Sequence, residues 1–175
     1  NLYVLIEPMR SGQDAGETQF DDPEAAMNQL RVETGEVHFE TGARLLTGEI
    51  TPADAAQRYS RQADRAVQII LPQAYNSASQ SLTPPKALDY AVIALGKMGS
   101  LEMSQLSDLD LMVLYRAEES AGDVHRFAAR MTKRLIRYLT VVTEDGPLYE
   151  VDMALRPSGG AGPITVSQAA FDGYY

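Results

Sequence analysis

Ser107-Asp108-Leu109-Asp110-Leu111 constrains this chain more than any other stretch, because two carboxylates one residue apart open the apolar run Leu111-Met112-Val113-Leu114-Tyr115. Side chains on a β-strand alternate faces, so Asp108 and Asp110 project together while Leu109 and Leu111 point the other way into a core. Asp is disfavoured in strands, and two like charges on one face repel unless a cation lies between them. The preceding Gly96-Lys97-Met98-Gly99-Ser100 is a small-residue turn that lets backbone approach a phosphate. It follows the short apolar strand Tyr90-Ala91-Val92-Ile93-Ala94-Leu95. Carboxylates beside a phosphate-sized turn suit hard divalent ions bridging a nucleotide triphosphate. The turn is not a Walker P-loop, since Ala91 and Met98 stand where that motif needs Gly and Ser or Thr. The remaining readings are a phosphate contact through Gly99 and Ser100 or a plain strand-to-helix turn.

Further along, Leu148-Tyr149-Glu150-Val151-Asp152-Met153-Ala154-Leu155 alternates like a third strand. Its Asp152 is either an outward-facing strand residue or a third carboxylate that completes a metal site or takes a proton from an incoming hydroxyl. Arg156, before Pro157, can clamp a phosphate or pair with a surface acid. His38 and His125 stand without ligand spacing and read as structural or surface residues.

Helix signals frame these motifs. Asp22-Pro23-Glu24 starts a helix running to Leu46, with Gly35 and Gly42 weakening its middle and Gly48 as the stop. Thr51-Pro52-Ala53-Asp54 starts a second, whose Ala55, Tyr59, Ala63, Ala66, Val67 and Ile70 share one face. Pro72 is expected to kink or end it, and Ser77 to Pro85 reads as a loop. Asp123 is placed to cap a helix with Val124, Phe127, Ala128, Met131, Leu135, Tyr138, Leu139 and Val142 as its apolar stripe. That helix also carries Arg126, Arg130, Lys133, Arg134 and Arg137: a solvated face, or a contact for an acidic partner. Glu144-Asp145-Gly146-Pro147 is a turn, Gly159 to Pro163 a loop, and Ser167 opens a last helix in which the chain stops at Tyr174-Tyr175. An end in mid-helix, on two aromatic residues, suggests a fragment of a longer polypeptide.

Composition excludes several functions. Without Cys there is no disulfide, thiolate nucleophile or Cys-based zinc site. No apolar run approaches the roughly 20 residues of a membrane helix, and the N-terminal stretch lacks signal-peptide flanks. A net charge of −9 argues against wrapping nucleic acid, though not against a single nucleotide held by metals.

Taken together, Ala94 to Ser104, Ser107 to Leu111 and Leu148 to Gly159 resemble the bacterial glutamine synthetase adenylyltransferase family. The likeness covers most of the chain from about residue 22 and leaves residues 1–21 unplaced. It implies an α+β nucleotidyltransferase fold: a small mixed sheet flanked by helices and preceded by a helical segment. The expected layout is an arm at 1–21, a helical segment at 22–83 and a nucleotidyltransferase core at 84–175. It implies ATP, Mg²⁺ and AMP transfer to a tyrosine hydroxyl of glutamine synthetase in the cytoplasm. It also implies regulation by the nitrogen-signalling protein PII and further domains of the same polypeptide. Family members are bifunctional, and the wording of Glu102 to Asp110 and Leu148 to Asp152 is closer to the C-terminal, AMP-attaching domain than to the AMP-removing one. By resemblance, Asp108, Asp110 and Asp152 form the catalytic and metal-binding triad, and Gly99, Ser100, Lys97, Ser107 and Arg156 contact the nucleotide phosphates. One departure is Ala154, where the family pattern has Arg. On a continuing strand it would share the carboxylate face, leaving Arg156 as the remaining phosphate clamp and making a non-catalytic nucleotide-binding module the alternative.

Overall fold

The structure is a computed structural model that describes residues 3–4, 9–10, 23–117, 121–144, 146–155, 157 and 159–174. Two long helices come first, α1 (Pro23–Leu46) and α2 (Pro52–Ser79), after the short strands β1 (Tyr3–Val4) and β2 (Met9–Arg10). The chain continues through β3 (Leu88–Ala94), α3 (Gly96–Gly99), β4 (Leu109–Ala117) and α4 (Ala121–Thr140). It closes with β5 (Val151–Asp152), a 3₁₀ turn at Gly159–Ala161, β6 (Val166–Ser167) and α5 (Gln168–Asp172).

The architecture is α+β, with a small mixed sheet flanked by helices, as the resemblance implies. The antiparallel pair β3 and β4 forms its centre, in register from Leu88↔Ala117 to Ala94↔Leu111. The arm joins this sheet: β1 and β2 pair antiparallel with β3. On the other edge, β5 and β6 both pair parallel with β4. One sheet face, carrying Leu88, Tyr90, Val92, Leu109, Leu111 and Val113, packs with α2 and α4 into the main core. The opposite face holds a small cluster of Ile93, Met112 and Val166, with Phe171 of α5 packed on it.

The end of α1 and the start of α2 follow the sequence closely. Thr51 and Asp54 form a reciprocal capping box at the start of α2. Gly48, at φ +76°, ends α1 in a Schellman motif, with the N–H of Glu49 donating to Arg44 O at 2.9 Å and that of Gly48 to Leu45 O. Asp22 and Tyr175 lie outside the described residues.

Five expectations are corrected. Of the two outcomes expected at Pro72, a kink or an end, the end does not occur: α2 continues to Ser79, so the expected loop begins only at Gln80. A proline costs a helix interior about 3 kcal/mol. Buried residues on both sides, from Ala63 and Ile70 to Ala74 and Ala78, anchor both halves to one core and offset it. Asp123 is not the cap of α4 but sits in its first turn, and Val142 lies beyond the helix and is exposed. The third strand is only Val151–Asp152, because Leu148 and Tyr149 are both buried and break the alternation. The last helix closes at Asp172 with Gly173 as its C-cap, before the chain ends.

Asp64, half-buried on α2, has its carboxyl pushed up to about 6 by desolvation, and one of its oxygens is buried without a hydrogen-bond partner. Between the ordinary value near 3.8 and about 6, the unfolded chain releases this proton while the folded chain keeps it. Stability therefore falls as pH rises through that window. Asp64→Asn is expected to melt a few degrees above the natural protein at pH 8, with the gap closing by pH 4; a pH-independent gap in thermal unfolding would contradict this.

Candidate active site

The site is built where β4 begins and β5 lies beside it. Leu109 and Leu111 are sealed in the core, so Asp110 stands on the opposite face of β4 and Asp108 precedes it, exposed. The parallel register sets Asp110 directly across from Asp152, and the N–H of Leu109 donates to Glu150 O at 2.9 Å. As a result, oxygens of Asp108, Asp110 and Asp152 lie within 4.8 Å of one another. Asp152 is further fixed by the backbone N–H of Ala154, which donates to its Oδ1 at 2.6 Å.

Burial pushes the Asp110 carboxyl above the usual range, the charges of Asp108 and Asp152 push it further, and Lys97 partly opposes them. An all-oxygen acidic cluster that resists its own ionisation is the donor set a hard divalent cation relieves. The three residues thus fit such an ion.

The β3–α3 turn comes up against this cluster. Gly96, at φ +52°, has no room for a side chain: a Cβ there would overlap Asp110 Oδ2 and lie 2.8 Å from its Cγ. The adjacent N–H of Leu95 donates to Asp110 O at 2.8 Å, binding the turn to β4. Gly96 was visible in the sequence only as part of a small-residue turn; its contact with Asp110 needs the tertiary structure. α3 ends in a second Schellman motif, with Leu101 N–H to Met98 O and Glu102 N–H to Lys97 O. Here the left-handed position is occupied by Leu101 at φ +60°, which costs about 1–2 kcal/mol relative to an unstrained residue.

The remaining candidates fall into place unevenly. The N–H groups of Gly99 and Ser100 already donate to Leu95 O and Gly96 O, and Gly99 is buried. The Ser100 hydroxyl is exposed and donates to Glu102 at 2.9 Å. Lys97 is exposed, and its charge acts on Asp110. Ser107 is buried, and its hydroxyl closes the turn with the N–H and hydroxyl of Ser104, which presents Asp108. Ala154 lies in a turn after β5, so strand alternation does not carry it onto the carboxylate face. Arg156 lies outside the described residues. The histidines stand apart from the acidic cluster: His38 packs edge-on to Tyr59 and Tyr149, and His125 bonds the Tyr115 hydroxyl at 3.0 Å.

Residues 10–175 match the family model described as glutamate-ammonia ligase adenylyltransferase. The chain belongs to this family. Among its curated relatives, the bifunctional glutamine synthetase adenylyltransferase/adenylyl-removing enzyme of Agrobacterium fabrum is 39% identical over 159 residues, which cover 86% of this chain and 16% of that protein. The proteins of the same name from Caulobacter vibrioides and Brucella melitensis are each 38% identical, over 89% and 87% of this chain. The chain spans 16% of the length of these adenylyltransferase relatives.

Two substitutions are expected to move the metal-free protein in opposite directions. Asp110→Asn removes a disfavoured charge and raises the melting temperature at pH 7.5. The gain shrinks as pH falls into the raised carboxyl range, because the folded chain then holds Asp110 increasingly in its neutral form. Gly96→Ala forces a Cβ onto the Asp110 carboxylate and lowers it. If a divalent ion binds the cluster, Mg²⁺ is expected to raise the melting temperature of the natural sequence and to raise neither variant; a rise retained in Asp110→Asn would remove Asp110 from the metal site.

Proposed function

We propose that this chain is a nucleotidyltransferase domain that transfers AMP from ATP to a tyrosine hydroxyl of glutamine synthetase, with Mg²⁺ held by Asp108, Asp110 and Asp152. The observation that carries the reading is the convergence within 4.8 Å of three carboxylates, two from the parallel strands β4 and β5 and one from the turn just before β4. Bound Mg²⁺ would neutralise the triphosphate and hold it for in-line displacement. Asp152, with Oδ1 tied to Ala154, presents its other oxygen to take the proton of the attacking hydroxyl. The tyrosine oxygen bonds the α-phosphorus as pyrophosphate leaves. Lys97 and the Ser100 hydroxyl supply phosphate contacts, and Ser107 acts indirectly by shaping the turn before Asp108. Gly99 contributes closeness of backbone, and Arg156 is assigned as a further phosphate clamp.

On this reading residues 84–175 are the nucleotidyltransferase core and 22–83 its helical support, in the C-terminal, AMP-attaching half of a longer cytoplasmic protein. Further domains and PII regulate it. No helix among the described residues is long and apolar enough to cross a membrane. Phosphate-dependent removal of AMP is a second reading, supported by relatives whose names carry both activities.

The test is incubation of the chain with glutamine synthetase and ATP labelled in its α-phosphate. Label entering the synthetase identifies the attaching half; phosphate-dependent release of label from modified synthetase identifies the removing half. Asp108→Asn and Asp152→Asn should each lower the rate at least about a hundredfold while leaving the melting temperature within a few degrees. Wild-type turnover in either variant would refute the assignment.

A further inference from the structure

The chain is acidic overall, yet α4 carries five basic side chains against one acidic. Arg126, Arg130, Lys133 and Arg137 recur at i, i+4, i+7 and i+11, which places them in one narrow line along about 16 Å of helix. All four are exposed, while Phe127, Ala128, Met131, Leu135 and Leu139 on the other side are fully buried. Beside the line runs a groove of about 530 Å³ with an apolar floor of Leu82 and Ala129, rimmed by His125, Arg126, Arg130 and Lys133.

These cations differ from four arginines elsewhere in the chain. Arg44, Arg58, Arg65 and Arg116 each hold a carboxylate at 3.1–3.3 Å or closer. On α4 only Arg126 has an acidic partner among the described residues: Asp123, itself exposed, at 3.7 Å. Glu118 and Glu119 precede the helix in sequence and lie outside the described residues.

We propose that the α4 stripe and its groove dock an acidic segment of a separate protein chain, with carboxylates spaced along the line and an apolar side chain over Leu82 and Ala129. The shape favours a polypeptide, because a small anion reaches only two of the four cations. Nucleic acid is disfavoured by the negative charge of the whole chain. A membrane surface is disfavoured because the apolar face of α4 is already used in the core. The exposed ionic character fits a reversible, salt-sensitive contact in trans rather than a permanent one. This inference is independent of the acidic site, which lies on the opposite face of the sheet.

The probe is a fluorescein-labelled helical peptide of about 18 residues with Glu at i, i+4, i+7 and i+11 and one Leu beside the line. A second peptide of the same composition has its Glu residues spread round the helix. Anisotropy should show that the first binds more tightly and that added salt weakens it. R130Q/K133Q should weaken binding about five- to tenfold, whereas R61Q/R65Q, which removes equal charge from α2, should not. The stripe variant should keep the far-UV circular dichroism spectrum and the melting temperature of the natural sequence, which shows that it is folded. The proposal is overturned by equal binding of both peptides, by equal loss in both double variants, or by absence of binding. It is also overturned by tighter binding of a DNA duplex or phosphatidylglycerol vesicles, or by self-association of the chain through the stripe.

Discussion

The alternation of β4 is the constraint on which the rest of the molecule depends. Leu109, Leu111 and Val113 are at most 1% exposed, packed into the core shared with α2 and α4. That burial fixes which way the strand faces, and a slip of one residue would exchange the apolar set for Asp110. The energy that holds the fold thus also aims the carboxylate. The site needs no separate scaffold: it is the other side of the strand that closes the core.

The sequence made the strands and acids legible because they are coded locally. Period-two alternation exposed β4, and charge repulsion in an apolar run singled out Asp108 and Asp110. The boundaries of α1 and α2 could be read because Gly48 and the Thr51–Asp54 pair have unambiguous capping chemistry. What was hidden is tertiary. Pro72 stays in a helix because its neighbours on both sides are buried. Ala154 leaves the strand pattern because β5 stops at Asp152. The pairing of β1 and β2 with β3 joins residues far apart in sequence, in segments too short for a periodic signal. Gly96 matters because of an atom fourteen positions away.

Local costs gather near the acidic cluster. Asp110 ionises against its surroundings, and Leu101 occupies a backbone region that favours glycine. The well-packed helix and sheet core carries no such features at Val67, Ile70, Phe127 or Met131, each completely buried. Costs of this kind are not confined to the site, since Asp64 and Pro72 burden α2, but at the acidic cluster they fall on groups that folding alone would not choose.

The three carboxylates are not held equally. Asp110 belongs to a strand of nine residues that is paired with β3 from Leu111 to Ala117, and its own carbonyl accepts from Leu95 N–H just after β3, so displacing it means opening the edge of that central ladder. Asp152 belongs to a strand of two residues, with β4 as its only recorded strand partner among the described residues. Opening there exposes few apolar side chains and breaks few backbone bonds, so it lies near the low end of the range of opening free energies within one fold. The acidic cluster can therefore come apart and re-form by local fraying of β5 while the core stays shut. Its third member behaves as a detachable ligand, and the first two as fixed ones.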